Sequence, residues 1–305
     1  MPNFTSKTKV LIQGIAQSVG STHAPMMKRY GTNVVAGVSP GRGGQTIDDI
    51  PIFDMVELAQ EAVGSIEVAI VCVHPYLALD AALEAIDAGI RQLILLTEGM
   101  PPLDMVQLLR KAEDTDTLVV GPNTPGIIVP GQVLLGTYPP QFCIPGNIGL
   151  ISRSGTLTYE VARTLTHSGF GQSIAVGIGS DAIIGSSFPQ WLQILDEDEE
   201  TEAIVLVGEI GGDSEETAAQ YIAEAIDKPV VAYVAGRYAP QSRQLGHAGA
   251  LGVSHISGTQ HDPINPLSDS KIGTAQHKIE AFRQANIPVA ERPWEIPQLL
   301  KKVMK

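Results

Sequence analysis

One histidine in this chain sits in a collar of small residues, Gly246-His247-Ala248-Gly249-Ala250. A neutral imidazole is a nucleophile as well as a proton carrier. Attack on a phosphoryl group needs a mobile mount and a partner that orients the ring, and the glycines supply the mount. A candidate partner is Glu209, in Gly208-Glu209-Ile210-Gly211-Gly212, at the expected end of a strand, where sites collect in open α/β sheets. A carboxylate bonded to one ring nitrogen fixes the tautomer and stabilises the charged ring. The competing structural reading is a buried histidine in a tight turn, with Glu209 as a cap. His255 and His261 follow soon after, but their spacing matches no compact ligand motif, so no metal is expected.

Two other segments have the composition of anion sites. Val10-Leu11-Ile12-Gln13-Gly14 ends a strand, and Gly20 follows just before a helix. Free N–H groups and the positive end of a helix dipole would face one point there, and glycine lets a phosphate approach the backbone. The spacing is not G-x-G-x-x-G, so a nicotinamide cofactor is not indicated. The second strand runs instead into Ser39-Pro40-Gly41-Arg42-Gly43-Gly44, where an arginine suits a ligand with an additional phosphate. Gly149-Leu150-Ile151-Ser152-Arg153-Ser154-Gly155-Thr156 repeats the logic in the second half, with hydroxyls added to the helix start. Simple N-capping is its competing reading. A hydrolase elbow would need G-x-S-x-G, and the outer positions around Ser154 are Ser152 and Thr156.

The elements that must hold these residues alternate. Strands are predicted at Lys9–Gln13, Val34–Val38, Val68–Val73, Gln92–Leu96 and Thr117–Val120, with helices near 21–30, 54–63, 76–88 and 103–113. The stretch from Pro125 to Gly146 holds five prolines and reads as a linker or irregular connection. Alternation resumes with strands at Ile148–Ser152, Ser173–Val176, Ala203–Val207 and Val230–Tyr233, and helices near 155–168, 187–195, 214–226, 274–285 and 293–304. This rhythm predicts parallel strands covered by helices. Gly252–Ser270 is polar and aperiodic, a surface loop or a lid over the site.

The chain has 305 residues, enough for about two domains. Its formal charge of −13 argues against a general nucleic-acid binder. No apolar run approaches a membrane span, and no signal peptide is evident, so a cytoplasmic protein is expected. Two cysteines in apolar surroundings, Cys72 and Cys143, make a disulfide framework or a cysteine zinc site improbable.

The chain resembles the α subunits of succinyl-CoA synthetase (succinate–CoA ligase). The resemblance rests on Gln13-Gly14, Pro40-Gly41-Arg42-Gly43-Gly44, Glu84-Ala85-Ile86-Asp87-Ala88-Gly89-Ile90, Thr97-Glu98-Gly99 and Gly121-Pro122-Asn123. It continues through Ser152–Glu160, Gly208–Gly212 and Gly246–Ala250, in family order over nearly the whole chain. It implies an N-terminal Rossmann-like CoA-binding domain (residues 1–125), a Pro/Gly-rich connection (126–146) and a flavodoxin-like ligase domain (147–305). It implies that His247 is phosphorylated during turnover with Glu209 orienting it, and that Ser154, Gly155 and Thr156 receive the phosphohistidine. Ala16, Gln17, Ser18, Val19, Arg42, Leu96, Thr97 and Glu98 would contact CoA, and Asn123, Thr124 and Tyr159 the acid.

The resemblance also implies a separate ATP-grasp β subunit, in an αβ or α2β2 assembly, that binds Mg-ATP or Mg-GTP; no P-loop occurs in this chain. The departures are specific. Ala16-Gln17-Ser18-Val19-Gly20 replaces the family's Thr-Gly-Ser-Gln-Gly, Arg42 replaces a lysine, and Thr124 replaces a cysteine. Related malate–CoA ligases also carry threonine there, so a malate–CoA ligase α subunit is the nearest alternative. A non-catalytic CoA-binding regulatory protein is the other.

Overall fold

The structure is a computed structural model, and it describes residues 4–239 and 273–304. His247, His255, His261 and the 252–270 segment lie outside the described residues.

The first half forms one seven-stranded sheet in the order β3-β4-β2-β1-β5-β6-β7. β1 (Lys9–Gln13), β2 (Asn33–Val38), β5 (Val68–Val71), β6 (Gln92–Leu95) and β7 (Leu118–Val120) run parallel. β5 reads Val-Ala-Ile-Val and is buried throughout, as a strand covered on both faces must be. Helices α1 (Ser18–Tyr30), α2 (Val56–Val63), α3 (Ala78–Asp87) and α4 (Pro102–Asp114) cover the sheet. α1 stops at Gly31, which takes φ 109° and turns its N–H back to the Lys28 carbonyl. β1 lies between β2 and β5, so the strand order switches direction there, and α1 begins at that crevice.

The second sheet repeats this plan in the order β14-β13-β12-β10-β11-β8-β9. β10 (Pro145–Ser152), β11 (Gln172–Gly177), β12 (Ala203–Gly208), β13 (Val230–Val234) and β14 (Val289–Ala290) are parallel. Around them lie α5 (Gly155–His167), α6 (Phe188–Glu197), α7 (Ser214–Ala225), α8 (Ala275–Gln284) and α9 (Ile296–Val303). β10 is flanked by β11 and β12, so the second switch point falls where α5 begins.

Two segments differ from the sequence expectation. The proline-rich stretch expected to be irregular holds a hairpin, β8 (Gly126–Val129) and β9 (Val133–Gly136), added antiparallel to the edge strand β11. Its prolines escape the usual conflict with a sheet because Pro125, Pro130, Pro139 and Pro140 fall outside the strands and Pro145 begins one. Gly126 and Gly136 let the two strands close at the hairpin's open end; a Cβ on Gly126 would meet the Leu135 carbonyl at 2.0 Å. The second segment is the loop after β2, where β3 (Thr46–Ile47) and β4 (Ile50–Phe53) form a small hairpin. Asp48 and Asp49, at φ 49° and 62°, make its turn.

The hairpin also joins the halves. The Thr32 hydroxyl donates to the Leu134 carbonyl at 2.8 Å and accepts the Leu134 N–H at 3.0 Å. The Tyr30 hydroxyl accepts the Gly131 N–H at 2.8 Å. Ala24 and Met27 of α1 therefore share one apolar core with Ile127, Leu134 and the strands of the second sheet. A separate core fills the other face of the first sheet. No helix among the described residues is long and apolar enough to cross a membrane.

Candidate functional site

The first switch point is shaped by glycine. Gly14 takes φ 83°, and a Cβ at Gly20 would meet the Gly14 carbonyl oxygen at 2.3 Å, so only glycine lets α1 start this close to the strand end. Gln13 anchors the turn from beneath: its side-chain amide donates to the Ala81 carbonyl at 2.7 Å, tying β1 to α3. Gln17 caps α1 without a side-chain hydrogen bond, and the first turn carries no acidic residue. The helix start thus presents backbone donors with no carboxylate in its own first turn, a setting that favours an anion.

A cleft of about 320 Å³ opens at this point, lined by Gln17, Ser18, Val19, Cys72, Val73, Pro75, Leu96, Thr97 and Glu98. Six of the residues expected to contact CoA therefore face one space, although they come from two separate turns. Ala16 precedes them, half-buried in the turn, while Arg42 lies on the exposed loop before β3 and does not line the cleft. Cys72 is no nucleophile: its thiol donates to the Gln13 carbonyl, and burial pushes it up to about 12. Both cysteines are free and buried.

At the second switch point the Ser152 hydroxyl bonds to the backbone of Ser154, accepting its N–H at 3.1 Å and donating to its carbonyl at 3.0 Å. Ser154 itself makes no side-chain capping bond, and the first turn of α5 also lacks an acidic residue. Gly155 and Thr156 continue the helix, Thr156 exposed. Tyr159 projects one turn further on; its hydroxyl lies 2.7 Å from that of Thr137, and its ring meets Tyr138 edge-on at 5.4 Å. Burial raises the Tyr159 phenol, against a lowering by the Thr137 hydrogen bond, so it stays protonated near neutral pH.

Glu209 follows the end of β12 and is 9% exposed. Beneath it lies a buried ion cluster. Arg153, next to Ser154, donates from Nη1 to the Gly211 carbonyl at 3.0 Å and to Glu215 Oε1 at 3.1 Å. Glu215 Oε1 also accepts the Glu209 N–H at 3.0 Å. Lys278, from α8, pairs with the other Glu215 oxygen and with Glu216 at 3.2 Å, and His277 Nδ1 lies 2.8 Å from Glu216. Glu215 and Lys278 are fully buried. Removing one partner from such a cluster costs about 3–5 kcal/mol, because it strands a charge without solvent. Among the described residues, no group of histidine, cysteine and carboxylate side chains is arranged to hold a metal ion.

A third set of residues lies where the two sheets meet. The Asn123 N–H donates to the Thr97 carbonyl at 2.8 Å, so the acid-binding expectation and the CoA-binding expectation fall on touching loops. Thr124 is less available than its type suggests. Its hydroxyl donates to the Gly177 carbonyl and accepts the Gly126 N–H at 2.9 Å, which commits it to the fold. Asp181, Thr137, Glu215 and Lys278 were not singled out from sequence. Asp181 alone carried a usable signal, as a carboxylate shortly after a strand end.

Comparison with known proteins agrees with this division. Residues 5–99 match the CoA binding domain model, and residues 151–262 match the CoA-ligase model. The fold and its two switch points thus define a CoA ligase of two α/β halves. The chain is 42% identical to succinate–CoA ligase [ADP-forming] subunit alpha 2 of Archaeoglobus fulgidus over 98% of both chains. It is 43% identical to the corresponding alpha subunit of Aquifex aeolicus, over 98% of this chain and 93% of that one. The chain belongs to the succinate–CoA ligase alpha-subunit family. Among solved structures, ATP citrate lyase from Methanothrix soehngenii in complex with citrate and coenzyme A superposes with a TM-score of 0.83 at 26% identity. The match covers 99% of this chain and 50% of that one. A dinucleotide-forming acetyl-coenzyme A synthetase from Ca. Korarchaeum cryptofilum shares the fold, with a TM-score of 0.70 at 19% identity over 95% of this chain and 59% of that one.

Proposed function

We propose that this chain is the alpha subunit of a nucleotide-dependent succinate–CoA ligase, working in the cytoplasm with an ATP-grasp beta subunit. The observation that carries the reading is end-to-end likeness to alpha subunits of ADP-forming enzymes, at 42% identity over 98% of the chain. The ADP-forming relatives favour Mg-ATP over Mg-GTP, bound by the beta subunit. An αβ or α2β2 assembly fits equally.

In this reading CoA enters the cleft at the start of α1, its phosphates toward the free N–H groups and Arg42. The fit is supported by the Gly14–Gly20 turn, which a Cβ would close. The thiol end extends past Leu96, Thr97 and Glu98 toward Asn123 and Tyr159, where the acid sits, while Thr124, its hydroxyl spent on Gly177 and Gly126, shapes the loop rather than holding the acid.

His247 takes the γ-phosphoryl group: an N–P bond forms, and the P–O bond to the nucleoside diphosphate breaks. Glu209 holds one ring nitrogen while the other attacks. The start of α5, with Ser154, Gly155 and Thr156, balances the phosphoryl charge. An oxygen of succinate then attacks phosphorus, giving succinyl phosphate and free His247. The CoA sulfur attacks the acyl carbon, and inorganic phosphate leaves with the electron pair of the C–O bond. The glycines around His247 suit a side chain that must serve more than one partner.

The test is acid-labile phosphate incorporation. The chain is mixed with its beta subunit, Mg²⁺ and labelled ATP, with His247→Asn as control, then chased with succinate or malate plus CoA. Label on His247 discharged by succinate supports the reading. Discharge by malate alone would move the substrate assignment, and no label in an assembled complex would leave a CoA-binding subunit without the phosphoryl step.

A further inference from the structure

We propose that Arg153 is a positioning residue for Glu209, acting through Glu215. The proposal rests on Glu209 being the carboxylate that orients the phosphorylated histidine. Two backbone points decide where that carboxylate stands, the Gly211 carbonyl and the Glu209 N–H, and one guanidinium governs both. Arg153 Nη1 holds the Gly211 carbonyl, two residues after Glu209, at 3.0 Å. The same nitrogen holds Glu215 Oε1 at 3.1 Å, and that oxygen accepts the Glu209 N–H at 3.0 Å. The Glu209 turn is therefore gripped on both sides of its acidic residue.

The grip comes from the residue immediately before Ser154, whose backbone opens α5. Arg153 thus sets the distance between the helix start that would receive the phosphoryl group and the carboxylate that would orient the ring. The cluster is dry: Arg153 is 5% exposed and Glu215 fully buried. Close approach also fixes its geometry, because a Cβ on Gly208 would meet the Glu215 Cγ at 2.5 Å.

Lys278 has a different task in the same cluster. It reaches the opposite Glu215 oxygen and Glu216, and touches neither the Glu209 turn nor the α5 start. It balances charge and ties down α8. The two cations are separable: one places the site, and the other stabilises the fold.

The experiment compares wild type, Arg153→Lys and Lys278→Met, each assembled with the beta subunit. Lysine keeps the positive charge but replaces the rigid guanidinium nitrogen that meets both acceptors with a freely rotating ammonium on a shorter stem. Three quantities are read: the single-turnover rate of acid-labile labelling from ATP, the Kd for CoA, and Tm. A misplacement of the carboxylate by an ångström slows labelling by about 10- to 100-fold. That loss is expected in Arg153→Lys, with Kd for CoA within twofold of wild type. Lys278→Met is expected to lose more Tm and to label within threefold of wild type. Should Arg153→Lys not assemble, Glu215→Asp, which shortens the tether and keeps its charge, takes its place with the same expected rate loss. Labelling at the wild-type rate in Arg153→Lys overturns the proposal. So does a rate loss that merely tracks Tm across the variants. Absence of label in wild type would overturn the parent reading and this one together, so the two failures are distinguishable.

Discussion

The Asn123 side-chain amide donates to Asp181 Oδ1 at 2.9 Å, while the other oxygen of the same carboxylate accepts the Gly99 N–H at 3.2 Å. Asn123 also takes the Thr97 carbonyl through its own N–H. A loop from the first sheet, the crossing segment and a turn from the second sheet close into a ring around one carboxylate, 7% exposed. The ring lies between the cleft assigned to CoA and the residues assigned to the acid. Asp181→Ala leaves two donors without their acceptor, at a cost of about 1–3 kcal/mol for each that stays buried. The expected result is a lower Tm with KM raised for CoA and for the acid together. Asp181→Asn, which keeps one acceptor, should lie between. Unchanged KM values in Asp181→Ala would separate the ring from substrate binding.

Gly20→Ala tests the first switch point. The added Cβ would overlap the Gly14 carbonyl oxygen at 2.3 Å, with backbone on both sides and no flexible side chain to yield. Such overpacking costs about 1–3 kcal/mol. It should move the α1 start away from β1 and weaken CoA binding at least tenfold by titration calorimetry. Gly31→Ala is the control for glycine loss alone, since no atom lies within 4 Å of its Cβ, although its φ of 109° also costs stability.

Glu209→Gln preserves shape and removes charge. Single-turnover labelling should slow by about 10²- to 10⁴-fold, the range for a positioned acid–base group. CoA binding should hold, because the cleft lies on the first sheet. An equal rate of labelling in the variant would take Glu209 out of the mechanism.

Thiol reactivity follows from burial. Cys72 and Cys143 are both pushed up to about 12, so at pH 8 about one thiol in 10⁴ is ionised, against roughly a quarter for a free cysteine. In CoA-free protein, Ellman's reagent should find no fast-reacting thiol at pH 8 and two after denaturation. A fast reaction of either in the folded chain would contradict the assigned burial.

The regular strands and helices were legible because local pattern and burial agree. Lys9–Gln13 is a strand in both readings, and the α5 start falls at Gly155 as its glycine and hydroxyls imply. The hairpin of β8 and β9 was not legible, since prolines and glycines dominate its turns and its four-residue strands carry no long periodicity. Lys278 illustrates a deeper limit. In Ala-Gln-His-Lys-Ile-Glu it reads as a solvated helix position, yet it is fully buried because its acceptors come from α7, 62 and 63 residues away. Arg153 stood in a recognisable motif, but its task depends on a carboxylate the motif does not contain. Glu209 was legible from its strand end; what grips its turn was not.

The Thr32–Leu134 pair and the shared core beneath α1 bear on how this chain comes apart. A cut placed after residue 125, where the first sheet is complete, would strip β8 and β9 from α1 and leave Ala24 and Met27 against water. The CoA-binding half is thus not a cassette that can be lifted out along its apparent seam. A calorimetric melt of the whole chain should give one cooperative transition, and an excised first half would need the hairpin carried with it to stay monomeric.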